Sequence, residues 1–224
     1  MSRNATKDLT TGSPMKLILG FGIPLLFGML FQQFYNMMDT IIVGKFLGVS
    51  ALASVGATGS INFMIIGFCM GVCNGFAIPV AQRFGAKDEH GMRKFVANSV
   101  WLSIIFAVVM AVLVCVFCRQ ILELMNTPED IIDGSYSYIF VIFLGIPATY
   151  MYNLLSGIMR SLGDSKTPLY LLIFSSILNI ILDLLSIIVL KMGVAGAAWA
   201  TVIAQAVSGF CCLGVIWKKF PILH

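Results

Sequence analysis

The stretch that decides the fold lies at residues 168–190 and is PLYLLIFSSILNIILDLLSIIVL. Its only charged residue is Asp183, and the rest is dominated by leucine and isoleucine. A helix needs roughly 20 apolar residues to cross a hydrocarbon layer about 30 Å thick. The stretch therefore predicts one transmembrane helix that carries a buried acid.

Five more stretches of the same kind surround it, although glycine, proline and polar residues interrupt several of them. We place the six helices at 15–42, 51–80, 94–118, 135–158, 168–190 and 194–217. Only 11% of the residues are charged, against about 25% in soluble domains, and the mean hydropathy is +0.96. Strands of a membrane barrel would give short alternating segments, and the sequence shows none. The sequence predicts an all-α membrane protein, a six-helix bundle over residues 15–217.

The basic residues lie mostly on one side of this predicted bundle. The N-terminal tail, the second and fourth loops and the C-terminal tail hold 11 of the 14, namely Arg3, Lys7, Lys16, Arg83, Lys87, Arg93, Lys94, Arg160, Lys166, Lys218 and Lys219. Loops rich in lysine and arginine stay in the cytoplasm. We therefore expect a multi-pass protein of the cell membrane whose tails, residues 1–14 and 218–224, are both cytoplasmic.

Other functional classes find little support in the sequence. The six cysteines lie in or beside apolar spans, and the Cys115-x-x-Cys118 pair has no second pair or nearby histidine to complete a metal site. There is no zinc motif, nucleotide loop or nucleophile triad pattern. We expect neither an enzyme nor a nucleic-acid-binding protein, and no cofactor.

Two features of the predicted helices concern packing and bending. Gly67, Gly71 and Gly75 are spaced by four, so they form one smooth face on which another helix can pack closely. Pro24 lies inside the first helix, where a missing backbone hydrogen bond favours a kink. We expect close packing at the glycines and consider Pro24 a candidate hinge.

Polar residues form stripes on four of the apolar helices. The first carries Gln32, Asn36 and Asp39 on one face, and the fifth carries Asn179 and Asp183. The remaining members are Ser176 and Ser186 on the fifth helix, Thr201, Gln205 and Ser208 on the sixth, and Asn153 and Ser156 on the fourth. Because a charged group costs roughly 2.5–3.5 kcal/mol inside a membrane, the stripes should face each other.

Asp39 and Asp183 are the decisive pair in these stripes. Carboxylate, amide and hydroxyl oxygens suit a small hard cation. Without a cation, one of two adjacent buried carboxylates should take up a proton. Cation and proton would then compete for one site, which is the chemistry of ion-coupled transport. The alternative is that these residues only hold helices together through hydrogen bonds.

Five short segments, in order, resemble a known family of transporters. They are Gln33 with Tyr35-Asn36, Asp39, Val43-Gly44 and Leu47-Gly48; Gly71, Gly75, Pro79, Gln82 and Gly85-Ala86; Arg160 to Pro168; Asn179-Ile180-x-Leu182-Asp183; and Gly193-Val194-x-Gly196-Ala197-Ala198-x-Ala200-Thr201. Together they resemble MATE transporters, the multidrug and toxic compound extrusion family. The match runs from about residue 14 to 217.

The resemblance implies a twelve-helix antiporter of two six-helix lobes that expels organic cations and other amphipathic drugs in exchange for Na⁺ or H⁺. The intramembrane acids are most similar to the DinF-like branch. That branch implies cation-binding roles, for Na⁺ or H⁺, at Asp39, Asn179, Asp183 and Thr201. Tyr35, Asn36 and Asn153 are expected as neighbours of the site.

The chain departs from that pattern because it resembles the N-terminal lobe alone. We expect a truncated product or fragment that lacks a second lobe, with residues 218–224 starting an inter-lobe linker. Assembly of two copies is the alternative. Rival functions are a lipid-linked oligosaccharide flippase, which a strongly basic cavity would favour, and a non-transporting remnant or membrane scaffold.

Overall fold

The computed structural model describes Thr6 and residues 12–223, so Arg3, Lys7 and most of the predicted N-terminal tail lie outside the described residues. The chain is helical over nearly all of that part, and it forms a bundle. The elements are α1 Pro14–Leu47, α2 Val49–Gly85, α3 Glu89–Val116, α4 Cys118–Leu124, α5 Ile132–Leu144, α6 Ile146–Ser161, α7 Lys166–Leu184 and α8 Gly193–Lys219, with a π-helical turn at Leu185–Val189 and a 3₁₀ turn at Pro221–Leu223.

The membrane fold class is confirmed. Within residues 12–223, five helices are long and apolar enough to cross a membrane. α5 and α6 add a sixth if they count as one span, because they are joined at Gly145 with a bend of 47°. The predicted helix at 135–158 is therefore two helices. Pro147 at the start of α6 has no N–H to continue the ladder of α5, which explains why the break lies here.

Gly145 also allows a close approach at this break. A Cβ atom placed there would collide with the side chain of Val202 on α8. The bend and the missing side chain thus let α5 and α6 pack against α8 together.

The long connection between α3 and α5 is partly helical. The sequence predicts a solvated acidic loop at 119–134, but Cys118–Leu124 forms α4, and Cys118 and Leu122 on this helix are buried. The burial of these two side chains explains why α4 packs against the bundle instead of extending into solvent.

α8 lies at the centre of the bundle and packs against α5, α6 and α7. Small residues make that possible, because Gly196, Ala197, Ala198, Ala200 and Ala204 are all buried on its surface. α1 packs mainly against α7 and α2 and presents much of its surface to the outside. It continues without a break through Pro24.

The glycine face of α2 does not have the predicted role. No described atom of another helix lies within 4 Å of a Cβ built on Gly67, Gly71 or Gly75. The expectation of close packing there is wrong within this bundle, since the face is open.

Candidate functional site

The second half of α1 contributes one acid to the interior. Asp39 is only 8% exposed, although α1 has few other buried residues. Tyr35 lies one turn earlier on the same face. Because α1 packs against α7, this face points towards the polar stripe of that helix.

The second half of α7 contributes the other acid. Asn179 and Asp183 are four residues apart, therefore on one face, and they are 1% and 0% exposed. The carboxyl groups of Asp39 and Asp183 are close enough to interact directly with each other. Two helices far apart in sequence thus place their acids side by side.

Thr201 on α8 connects the two helices. Its hydroxyl oxygen accepts a hydrogen bond of 3.2 Å from Asn179 Nδ2 and shares one of 3.1 Å with the hydroxyl of Tyr35. One small side chain therefore contacts residues from both α1 and α7.

Several buried oxygens of this cluster lack a donor. Among the described residues, no hydrogen-bond donor reaches Asp39 Oδ1, Asn179 Oδ1 or either carboxylate oxygen of Asp183. A buried polar group without a partner is costly, and a buried carboxylate more so. The four acceptors converge from helices α1 and α7, and together they form the ligand type that a small hard cation or a proton satisfies.

Tyr138 on α5 belongs to the same region, and the sequence reasoning missed it. Its side chain is buried and interacts electrostatically with Asp39, Tyr35 and Asp183. Tyr138 follows Ser135 and Ser137 and is succeeded by the apolar run 139–144, so no polar stripe continues beyond it and periodicity gave no reason to select it. The only available signal was a tyrosine, an aromatic residue whose polar tip needs a partner when buried.

The other predicted neighbours occupy different places. Asn36 is exposed, donates to Gln33 Oε1 at 3.3 Å and accepts from Gln32 Nε2 at 3.4 Å. Asn153 donates to the carbonyl of Thr149 at 2.8 Å. Asn153 lines a separate cavity together with the proposed hinge residue, Pro24.

That cavity has a volume of about 450 Å³ and lies between α1, α2, α6 and α7. Its walls come from residues 24–33 of α1, 70–74 of α2, 152–160 of α6 and 165–172 at the start of α7. Asp39 and Asp183 lie further along α1 and α7, so the acid cluster is displaced from the cavity along the helix axes. We call it the amide-lined cavity, after Gln32, Gln33, Asn74 and Asn153 on its walls.

This arrangement of acids in a six-helix bundle can be compared with known proteins. Residues 24–185 match the family model MatE, which covers more than half of the chain. The chain belongs to the MatE family. The DinF-like resemblance is also supported, because DNA damage-inducible protein F of Escherichia coli (strain K12) is 27% identical over 196 residues, covering 85% of this chain and 41% of that protein.

Other similar proteins support the same family assignment. The probable multidrug resistance protein YoeA of Bacillus subtilis (strain 168) is 35% identical over 205 residues, with 89% of this chain and 44% of YoeA covered. A crystal structure of MATE in the bent conformation matches with a TM-score of 0.87 and 30% identity, covering 95% of this chain and 47% of that one. The chain spans about half the length of the curated relatives it matches. MatE proteins are transporters of the membrane and not enzymes.

Proposed function

We propose that this chain is the N-terminal lobe of a Na⁺- or H⁺-coupled antiporter that exports amphipathic organic compounds across the cell membrane. The multidrug-resistance names of relatives support the export of organic compounds. The distribution of basic residues supports a cytoplasmic position for both ends of the chain. No cofactor is needed, because an ion gradient supplies the driving force.

The observation that carries this proposal is the set of donorless oxygens around Asp39 and Asp183. Na⁺ would bind them directly, with Asn179 and Thr201 completing its oxygen shell, and a proton would instead bridge the carboxyls. Either ion removes the repulsion between two adjacent carboxylates, and only one of them can do so at a time. Such competition lets an ion gradient drive a conformational change.

The contacts around the pair support α1 as the helix that moves. α1 is bound to the core at this level by the Asp39–Asp183 contact and by the 3.1 Å hydrogen bond between the hydroxyl groups of Tyr35 and Thr201. Neutralising the carboxylates would allow α1 to pack closely against α7 and α8. Loss of the ion would allow α1 to move away from them again. Pro24, in the first half of α1, is the position where the helix would bend. A similar structure is described as bent, which supports this proposal.

A second six-helix unit, or a second copy of this chain, would complete the transporter. The open glycine face of α2 and the exposed surface of α1 are surfaces that such a unit would cover. Exposed backbone on a small-residue face is a favourable place for helix contact inside a membrane.

The proposal is tested by binding and resistance measurements on matched variants. The binding of radioactive Na⁺ to the purified chain is measured at several pH values. It detects Na⁺ binding directly, and it detects proton binding through the loss of bound Na⁺ at low pH. Asp39→Asn and Asp183→Asn should abolish Na⁺ binding, while the exposed Asp130→Asn should not.

The second measurement is drug resistance in a drug-hypersensitive host. If the chain alone is inactive there, the missing lobe is expressed with it. Asp39→Asn should abolish resistance without lowering expression. Full resistance in Asp39→Asn would falsify the coupling role.

A further inference from the structure

Arg160 lies in a place that the charge pattern did not predict. The sequence puts it among the basic residues of a cytoplasmic loop, but it belongs to the last turn of α6 and lines the amide-lined cavity. It is half-buried rather than exposed. A guanidinium group in such a place needs a counter-charge or several acceptors.

No carboxylate supplies that counter-charge. Of the four arginines in the described part of the chain, Arg83, Arg93 and Arg119 each pair with an acid. Arg160 has no such ion pair there, and none of the residues lining the cavity is acidic. The nearest acid in the sequence, Asp164, is engaged elsewhere, because it accepts the backbone N–H groups of Lys166 and Thr167 at 3.0 Å each.

The titratable side chains that influence Arg160 are uncharged at neutral pH. They are Tyr152, Cys73 and Cys212, a phenol and two thiols. Arg160 therefore leaves a net positive charge in a cavity whose other polar groups are amides, hydroxyls and the thiol of Cys73. Amides and hydroxyls can donate hydrogen bonds to an anion.

The rest of the wall is apolar. Met29, Met70, Leu169 and Leu172 face the same cavity. Methionine and leucine provide adaptable apolar contact area for ligands of varied shape. The volume of about 450 Å³ is that of a site for one drug-sized molecule.

We propose that Arg160 and the side-chain amides around it form a subsite for the carboxylate or phosphate group of an amphipathic organic solute, whose apolar part lies against Met29, Met70 and the leucines. The inference rests on the proposed export function in assigning solute binding to this cavity. Within the amphipathic compounds of that proposal, it assigns this subsite to those that carry a carboxylate or phosphate group.

The test uses two dyes with the same ring system and opposite charge. Carboxyfluorescein is an anion and rhodamine 6G is a cation, and both report binding by fluorescence anisotropy. The chain is purified in phosphatidylcholine nanodiscs without an ion gradient, so the measurement does not depend on transport. We expect carboxyfluorescein to bind, and Arg160→Gln to weaken that binding by about tenfold or more. Rhodamine 6G binding should not weaken in this variant.

Two further variants separate a local effect from a general one. Gln33→Glu puts a negative charge on an exposed wall of the cavity. It should also weaken the binding of carboxyfluorescein but not that of rhodamine 6G. This variant keeps the test decisive if Arg160→Gln fails to fold. Lys166→Gln removes the same charge as Arg160→Gln from an exposed residue outside the lining and should leave carboxyfluorescein binding within about twofold.

Three results would overturn the inference. They are no binding of carboxyfluorescein by the parent chain, equal loss of both dyes in Gln33→Glu, and loss of carboxyfluorescein when phosphatidylglycerol replaces part of the lipid, which would assign the site to a lipid headgroup. Asp39→Asn distinguishes the two proposals. It should retain carboxyfluorescein binding while losing Na⁺ binding, so each proposal can fail while the other stands.

Discussion

At the scale of single residues, the acid pair is the feature that sets this chain apart from a passive bundle. Asp183 is fully buried, both of its carboxylate oxygens lack donors among the described residues, and Asp39 lies beside it. Stability alone does not favour such an arrangement, because like charges in an apolar interior repel and each is desolvated. The proposed binding of an ion would compensate these costs.

Asp183→Asn should therefore stabilise the chain when Na⁺ is absent. The amide removes one charge and can donate a hydrogen bond to Asp39, for a gain of about 1–2 kcal/mol. For a chain of this size that raises the melting temperature by roughly 2–8 °C in a Na⁺-free thermal unfolding assay. Asp130→Asn is the control and should change nothing, and a lower melting temperature for Asp183→Asn would contradict the unsatisfied-acid interpretation.

Na⁺ should stabilise the parent chain and not the variant. A ligand at ten times its dissociation constant stabilises the folded state by about 1.4 kcal/mol. We expect a rise in the melting temperature of the parent when Na⁺ replaces a large organic cation at constant ionic strength. Asp183→Asn should show no rise, and an equal rise in both proteins would mean that Na⁺ acts elsewhere.

At the scale of elements, the break between α5 and α6 lies between the two regions to which we assign a function, the acid pair and the amide-lined cavity. α5 carries Tyr138 beside the acids, while α6 carries Asn153 and Arg160 on the amide-lined cavity. Gly145 between them packs against Val202, the neighbour of Thr201. A change of the bend at Gly145 would therefore shift both regions together.

Gly145→Ala tests this contact. The added methyl group collides with Val202 and should destabilise the chain by about 1–3 kcal/mol and weaken Na⁺ binding, since Thr201 is adjacent. Val202→Ala in the same chain makes room and should restore at least half of the loss, a coupling that a double-mutant cycle measures. Gly71→Ala is the matched control, because nothing lies near its added methyl group. Additive effects of Gly145→Ala and Val202→Ala would exclude the contact.

Pro24→Ala tests the proposed hinge in α1. Alanine restores a backbone donor and favours a straight helix, so the variant should be more stable by roughly 1–3 kcal/mol and less active in drug resistance. Pro79→Ala, the corresponding change inside α2, should leave resistance intact. If both variants keep full resistance, bending at Pro24 has no role.

At the scale of the whole molecule, the bundle is asymmetric in what it buries. α8 is enclosed by its neighbours, whereas α1 and the glycine face of α2 are open. The chain also matches only about half of its relatives' length. Both facts agree with the proposal that the α1 and α2 surfaces meet a second unit.

The orientation of that molecule in the membrane gives a direct prediction. Alkaline phosphatase is active only outside the cytoplasm, so a fusion within residues 126–130 should be active. Fusions at residues 86–88 and 162–165, the connections on the side rich in lysine and arginine, should be inactive while green fluorescent protein fused there fluoresces. The reverse pattern would invert the proposed topology.

The sequence by itself determined the fold class, the rough positions of the spans and the two acids. These follow from local chemistry, since about 20 apolar residues make a span and an isolated acid within one needs a reason. The α5–α6 break, the place of Tyr138 and the hydrogen bonds by which Thr201 links α1 and α7 required the tertiary structure. They depend on which helices are neighbours and how they are rotated about their axes. Arg160 shows the same limit, because its charge was visible in the sequence but its position beside a cavity without acids was not.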